Sequence, residues 1–436
     1  MKRFLQGLIF GAAVGAAVVL AAAPAFAQRP SSLPEERPGG ALERAERPEL
    51  AVRVTPEMER YSSTRYALYF LRSFLGLLIL LLFLSTGASA RLRDLAERRT
   101  GNPVLRTFIY FPLLWLGITV CSLPLSFYSS YLLPHQYGLS NQTAAGWVQD
   151  ALKGYALTAV IGSPVVALLY WSLRRSPRLW WVGFWVACIP LLIAAVLLTP
   201  LVVDPLFNRY RPLPESPLRE SLLEMAERAG IENSRVFEVD ASTRTKAVNA
   251  YVTGIGGSAR IVLWDTLLEK LDDDEVVAVM AHEMGHYVER HVVIGLGASI
   301  VGTLLVFILV DRGGRRILAR RGDRWRVRGL DDLAGFPLVL LLVSAINFFG
   351  APVENAVSRT IERRADDFSL RLTGDGRAAA SAFVKLSEAN LSHPAPPPFI
   401  ELWLFSHPPL NERIEKALSY RSSASAGLGE APEDQP

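Results

Sequence analysis

The sequence predicts a mainly α-helical protein that crosses a membrane several times and carries one polar α/β domain with a metal-binding motif. Three observations lead there. The chain of 436 residues is 50% hydrophobic, too apolar for an ordinary soluble domain. Six apolar runs lie near the ~20 residues that cross a bilayer as a helix. The stretch AVMAHEMGHYVERH, from Ala278 to His291, holds His-Glu-x-x-His in a polar segment just before one of those runs.

From the N-terminus, Lys2 and Arg3 precede an apolar stretch at 8–23, and Ala25-Phe26-Ala27 offers small residues for cleavage. Residues 1–27 therefore read as a signal peptide or as a retained first membrane anchor, and either leaves the following chain outside the cytoplasm. Residues 28–60 are rich in Pro, Glu and Arg, as a linker is. Residues 61–210 form an N-terminal membrane domain with spans at 66–90, 107–133, 154–173 and 179–203. Arg72 falls inside the first span, where it snorkels or faces a polar interior. Prolines 112, 124, 164 and 190 should kink the others. Residues 211–420 form the metal-binding domain, interrupted by spans at 292–310 and 333–352. Residues 421–436 are a Ser/Ala/Gly-rich, flexible tail.

Charge in the short loops sets an orientation. Residues 91–106 carry five arginines, 134–152 no Lys or Arg, 174–178 three arginines and 311–332 eight. Basic loops stay in the cytoplasm, so the polar segment 204–291 and the tail from 353 should face outward. Cys121 and Cys188 both lie in apolar runs, which excludes a disulfide framework and a Cys-x-x-Cys site. The chain has no zinc finger or basic-aromatic platform, so no nucleic-acid partner is expected.

Within the polar domain, a helix is expected over 218–229, ended by Gly230, then a strand at 234–240. A hairpin follows at 247–264, with its turn at 254–258. Asp272, Asp273 and Asp274 suit the N-terminal end of the helix that bears the motif. Further helices are expected at 354–372, at 376–391 and from about 411, with a stiff proline loop at 393–399.

His282 and His286 are four residues apart and share a helix face, as two imidazole ligands of Zn²⁺ require. Glu283 stands about 100° round the helix, within reach of a metal-bound water. A catalytic zinc needs a third protein ligand and an open position. The extension His-x-x-Gly-x-x-His is absent, because Glu289 and Val292 stand at its places. His291 is out of register and reads as a surface or interfacial residue. Downstream, Glu362 and Asp366 are again four apart on a helix. Glu362 could complete the ligand set while Asp366 orients a histidine; as a bare pattern, the same residues also read as a solvated acidic-basic face.

Four segments give the chain a resemblance to a known family, the CAAX prenyl endopeptidases and the related bacterial heat-shock membrane metalloproteases. They are NAYVTGIGGSARIVLWDTLL (249–268), the His-Glu-x-x-His stretch, NAVSRTIERRAD (355–366) and SHPPLNER (406–413), in that order. YGLSNQT (137–143) and DPLFNRYRPLP (204–214) are similar to family segments ahead of the catalytic domain. The resemblance spans about 61–418. It implies a gluzincin-like α/β zinc metalloprotease domain beside a membrane-helical chamber of six to seven spans. It implies one Zn²⁺ per chain held by His282, His286 and Glu362, with Glu283 as general base and Asp366 behind a ligand. His407 and Arg413 would bind substrate and stabilise the oxyanion. Asn249, Ala250 and Tyr251 would belong to an edge strand that pairs with extended substrate. The expected activity is endoproteolysis of membrane-associated proteins, prenylated or misfolded, at a bacterial inner membrane. Eukaryotic members face their site to the cytosol or nucleoplasm, whereas the loop charges here point it to the periplasm. The seventh span exists only if residues 1–27 are retained.

Two other readings compete. A site-2-type intramembrane protease would bury His-Glu-x-x-His inside a span and draw an Asp from another span. A catalytically silent chamber protein would bind or pass hydrophobic segments. Substrate identity and oligomeric state are not encoded in any recognisable pattern.

Overall fold

The computed structural model describes residues 50–253 and 259–420. The expected signal sequence at 1–27, the linker before residue 50, the hairpin turn at 254–258 and the tail at 421–436 lie outside the described residues. The chain divides into two compact units, one built on Thr64–Val203 and Gly295–Glu354, the other on Asp204–Ile294 and the segment from Asn355 onward.

Among the described residues, six helices are long and apolar enough to cross a membrane, one for each span expected after residue 60. They are α1 (Pro56–Ser85); α3 (Pro103–Phe127), extended by further turns to Gln136; α4 (Ala144–Arg175); α5 (Trp180–Leu198), extended to Leu206; α9 (His291–Trp325); and α10 (Phe336–Thr373). A short helix α2 (Ala88–Arg99) follows α1 after Gly87, whose φ of 68° ends the first helix before the expected boundary at 90. Asn102 caps α3 by accepting from the Val104 and Leu105 amides, with Pro103 in the first turn. Thr143 caps α4 through the Gly146 amide. Pro112, Pro164 and Pro190 lie inside continuous α-helix, and of the four prolines expected to kink a span only Pro124 stands near a break. After Pro124 and before Pro134, α3 widens into a π turn at Tyr128–Leu132; a second π turn, Thr199–Val203, forms around Pro200. A proline lacks the amide of the regular ladder and its ring crowds the carbonyl four residues back, so the helix opens there.

The core of this membrane unit packs Tyr110, Phe111 and Leu114 of α3 against Tyr170 and Leu173 of α4, Trp180 and Phe184 of α5, Val306 and Val310 of α9, and Phe336 of α10. Phe74, Val120, Val160, Val186 and Leu198 remain exposed, an apolar surface suited to lipid. The arginine-rich loops meet one another. Buried Arg93 forms an ion pair with Asp332 and donates to the Arg326 carbonyl at 3.0 Å. Trp180 Nε1 donates to Asp311 at 2.6 Å, and Arg315 donates to the Pro177 carbonyl. Loops 91–106, 174–178 and 311–332 therefore share one end of the unit, as their common charge predicted.

The second unit carries a four-stranded sheet in the order β1-β2-β4-β3, with β1 (Tyr210–Pro212), β2 (Arg235–Val239), β3 (Ala250–Thr253) and β4 (Arg260–Trp264). β1 and β3 pair antiparallel with their neighbours, while β2 and β4 run parallel. Helix α6 (Pro217–Arg228) is capped by Ser216 and stops as Gly230 turns to φ 76°. A short helix α7 (Asp265–Lys270) leads into α8 (Asp273–Val288), the motif helix. Leu218, Leu222 and Met225 of α6, Ile261 and Leu263 of β4, and Val276, Met280 and Met284 of α8 form one buried core. The α8 residues recur every four positions, so one stripe faces the sheet and the adjacent stripe carries the histidines. Helices α11 (Gly376–Ala389), α12 (Pro398–Leu404) and α13 (Leu410–Ser419) complete the unit.

One further sequence expectation changes. The last span and the helix expected at 354–372 are a single helix, α10, which runs through Pro352. The motif helix and the fifth span are separate helices. The first ends at Val288, Arg290 takes φ 56°, and α9 starts anew at His291.

Candidate metal centre

Helix α8 places His282, Glu283 and His286. Asp272 caps its N-terminus in a capping box with Glu275. Glu275 is buried and also accepts from Ser381 Oγ at 2.6 Å and Lys385 Nζ at 2.7 Å, which fixes the start of α8 to α11. Ser369 of α10 donates to the Ala278 carbonyl at 2.9 Å. Gly285 lets α10 come close: a Cβ there would lie 3.1 Å from the Phe368 ring and 3.3 Å from the Ala365 Cα. That approach brings Glu362 to the histidines.

His282 Nε2 lies 3.2 Å from His286 Nε2 and 3.2 Å from Glu362 Oε2, and His286 Nε2 lies 3.5 Å from Glu362 Oε1. Three ligands about 2.1 Å from one tetrahedral ion stand about 3.4 Å apart, so this triangle has the size of a metal site. The chemistry of the donors agrees. Glu362 Oε2 is buried and makes no hydrogen bond of proper geometry, although it faces the histidines. His282 Nδ1 faces Asp366 Oδ1 at 2.9 Å, so its Nδ1 proton is directed to Asp366 and Nε2 is the nitrogen turned toward the other two donors. Burial alone opposes charge on His282, yet the adjacent Asp366 and Glu362 carboxylates hold its ring at a pKa of about 9. Two carboxylates converging on a buried imidazole make a concentrated negative site suited to a cation. Glu283, next to His282 on α8, is half-buried and makes no hydrogen bond or ion pair among the described residues.

Arg413 of α13 is buried and donates twice to Asp366, at 2.9 and 2.6 Å; its Nη2 stands 3.4 Å from His282 Nδ1, and its guanidinium lies 4.1 Å from the centre of the Phe383 ring. In this position Arg413 reaches the site through Asp366. His407 lies between α12 and α13, with Nε2 3.3 Å from Glu362 Oε2 and Nδ1 3.0 Å from Ser406 Oγ. Its side chain is 54% exposed. Desolvation beside the site lowers its pKa, with Arg413 adding to the effect and Glu362 opposing it.

β3 is an edge strand packed against α8. Asn249 offers its carbonyl to Trp264, and Ala250 turns its methyl into the core. Tyr251 packs on the other face, with its hydroxyl 2.9 Å from that of Tyr210. Ala250 and Tyr251 thus direct their side chains to packing within the domain.

Several residues were not legible as functional in the sequence. His291 is the clearest correction. It is 7% exposed rather than at the surface, and its Nδ1 is 3.0 Å from His286 Nδ1. Behind it, His291 Nε2 is 3.1 Å from Glu289 Oε2, which in turn is 2.9 Å from Arg364 Nε. The break at Arg290 folds His291 back over the motif, which no helical register anticipates. Asn355 and Arg359 belong to a quoted motif but had no assigned role. Asn355 donates to the Trp403 carbonyl at 2.7 Å, and Arg359 to the Glu401 and Phe405 carbonyls at 3.1 and 2.7 Å. They hold the segment that presents His407.

The motif helix is 16 residues long and is none of the six candidate spans. A site-2-type arrangement, with the motif inside a span, is therefore not the one observed.

Comparison with known proteins agrees with this geometry. Residues 212–421 match peptidase family M48, and residues 49–209 match the CAAX prenyl protease N-terminal domain, described as five membrane helices. The chain is 36% identical to an uncharacterized metalloprotease, YhfN, of Bacillus subtilis, over 82% of this chain and 84% of that one. It is 30% identical to CAAX prenyl protease 1 of Saccharomyces cerevisiae, over 74% of each. The crystal structure of S. mikatae Ste24p superposes with a TM-score of 0.74 at 27% identity, covering 84% of this chain and 88% of that one.

Proposed function

This chain belongs to peptidase family M48, in its CAAX prenyl protease branch, and from that premise we propose which residues carry its activity and on what it acts. The protein is a multi-pass membrane metalloendopeptidase. We assign the metal as zinc, one per chain, held by His282, His286 and Glu362. The single observation behind this is the triangle of two imidazole nitrogens and a carboxylate at 3.2–3.5 Å, which has the ligand type and spacing of a catalytic zinc site.

Bound there, zinc would supply Lewis acidity, polarising the scissile carbonyl and acidifying the attacking water. The remaining work falls to this chain's residues. Glu283, unpaired and adjacent, takes the proton of the attacking water and returns it to the leaving amide nitrogen. His407, neutral with Ser406 on Nδ1, presents an Nε2 proton to the developing oxyanion. Asp366 fixes His282 from behind, and Arg413 fixes Asp366, so we place Arg413 as a positioning residue. The edge strand at Asn249, Ala250 and Tyr251 takes an extended peptide through backbone hydrogen bonds, which accept any sequence. Selectivity then comes from elsewhere.

The substrates we propose are membrane-associated proteins, lipidated or misfolded. The proposed orientation keeps the arginine-rich loops in the cytoplasm of a bacterial cell and the metal centre on the periplasmic side of its inner membrane. The domain limits follow: residues 1–27 a signal peptide or anchor, 28–60 a linker, 61–210 the membrane domain, 211–420 the peptidase domain with two inserted spans, and 421–436 a tail. The test is Glu283→Gln. It should retain about one zinc per chain by elemental analysis while cleavage of an unfolded or prenylated reporter peptide falls by at least about a hundredfold. Full cleavage by the variant sinks the mechanism. Metal loss with the same substitution moves Glu283 into the ligand set.

A further inference from the structure

At the arginine-rich end of the membrane unit, α1 and α9 enclose a cleft of about 570 Å³. Its apolar wall includes Leu81 and Leu82, with Trp325 at one end; its rim carries Arg316, Arg320, Arg321 and Arg324. Arg316, Arg320 and Arg324 recur every four residues and so stand on one face of α9. Like charges at that spacing oppose one another. None of the four has a hydrogen bond or ion pair among the described residues. Their neighbours differ: Arg315 pairs with Asp311, Arg326 with Asp94, and Arg328 with Glu97. Acidic partners are thus within reach of this segment, and the cleft arginines are the ones left without them.

The depth of the cleft is informative. Arg316 lies six residues beyond Val310, about 9 Å along the helix, and Ser85 at the other wall is the last residue of α1. The cleft opens where the apolar runs end, which in a bilayer would set it near the lipid headgroups. Orientation of the chain requires only that a loop be basic; it does not require four arginines to converge on an apolar wall. A charged rim over an apolar wall has the shape of a lipid. A guanidinium fork matches a phosphate bidentately, and basic pockets between membrane helices suit acidic headgroups. We propose that this cleft binds the phosphate headgroup of an anionic membrane lipid, with the acyl chains along Leu81 and Leu82. The site is independent of the metal centre and of the proposed proteolytic mechanism.

The test is native mass spectrometry of the full chain, purified in nonionic detergent and supplied with dioleoyl phosphatidylglycerol or dioleoyl phosphatidylcholine. Wild type should retain the first in preference to the second. Changing Arg316, Arg320 and Arg324 together to Gln should weaken retention of phosphatidylglycerol on the order of a hundredfold and leave phosphatidylcholine unaffected. These side chains are exposed, so the melting temperature in detergent should not move. Leu82→Trp fills the cleft with every charge kept, and it should also expel the lipid. Equal retention of the two lipids by wild type overturns the proposal, as does undiminished retention by both variants. Displacement of phosphatidylglycerol by millimolar inorganic phosphate alone would reveal a simple anion site and overturn it too.

Discussion

His291 shows how one side chain extends the metal centre beyond its motif. Its Nδ1 meets His286 Nδ1 at 3.0 Å, and its Nε2 faces Glu289 at 3.1 Å. With His286 donating from Nδ1 to His291 Nδ1, the Nε2 lone pair of His286 is left for the metal. Glu289 stays ionised: its burial opposes this, but His291 and Arg364 lower its pKa below the ordinary carboxylate range. His291→Phe fills similar space but accepts no proton from His286. Metal affinity, read by competition with a chelator, should fall about 10–100-fold. His291→Gln, which retains an acceptor, should recover part of it. Equal affinity in wild type and both variants would reduce His291 to packing.

Among the elements, the crossing of α8 and α10 decides whether a metal site exists. The two helices bring together the proposed ligands at positions 282, 286 and 362, and the contact depends on the bare Cα of Gly285. Gly285→Val puts a branched side chain where 3.1–3.3 Å separates a first carbon from Phe368 and Ala365. Thermal unfolding should show a loss of about 1–3 kcal/mol, and metal content should fall with it as Glu362 is pushed outward. Gly285→Ala should lie between. If the valine variant keeps full metal content, the close approach is not what sets the ligand geometry. The helix α12 segment follows the same logic, since Asn355 and Arg359 anchor the carbonyls just ahead of His407.

For the whole molecule, the arginine-rich loops act as one face. Arg93 with Asp332, Trp180 with Asp311 and Arg315 with Pro177 bind three separate loops together, so they must occupy the same side of a membrane. Which side is testable. A reporter that works only outside the cytoplasm should be active when fused after Ala424 and silent after Arg175. The reverse pattern would invert the proposed orientation and place the metal centre in the cytosol.

The sequence by itself determined the six spans found among the described residues, because ~20 apolar residues announce a membrane helix with no help from neighbours. It also determined the two histidines and Glu283, which lie within one helical turn and need only a local repeat. Glu362, Asp366 and His407 were legible only as separate motifs; their placement at one site required α10 and α13 to pack against α8. His291 could not be read at all. Its place depends on a break at Arg290, a left-handed residue that interrupts the 3.6-residue repeat on which every register argument rests. The arginine-lined cleft is likewise tertiary. Sequence charge says that a loop is basic, but only the packing of α1 beside α9 turns four of its arginines into the rim of an apolar cleft.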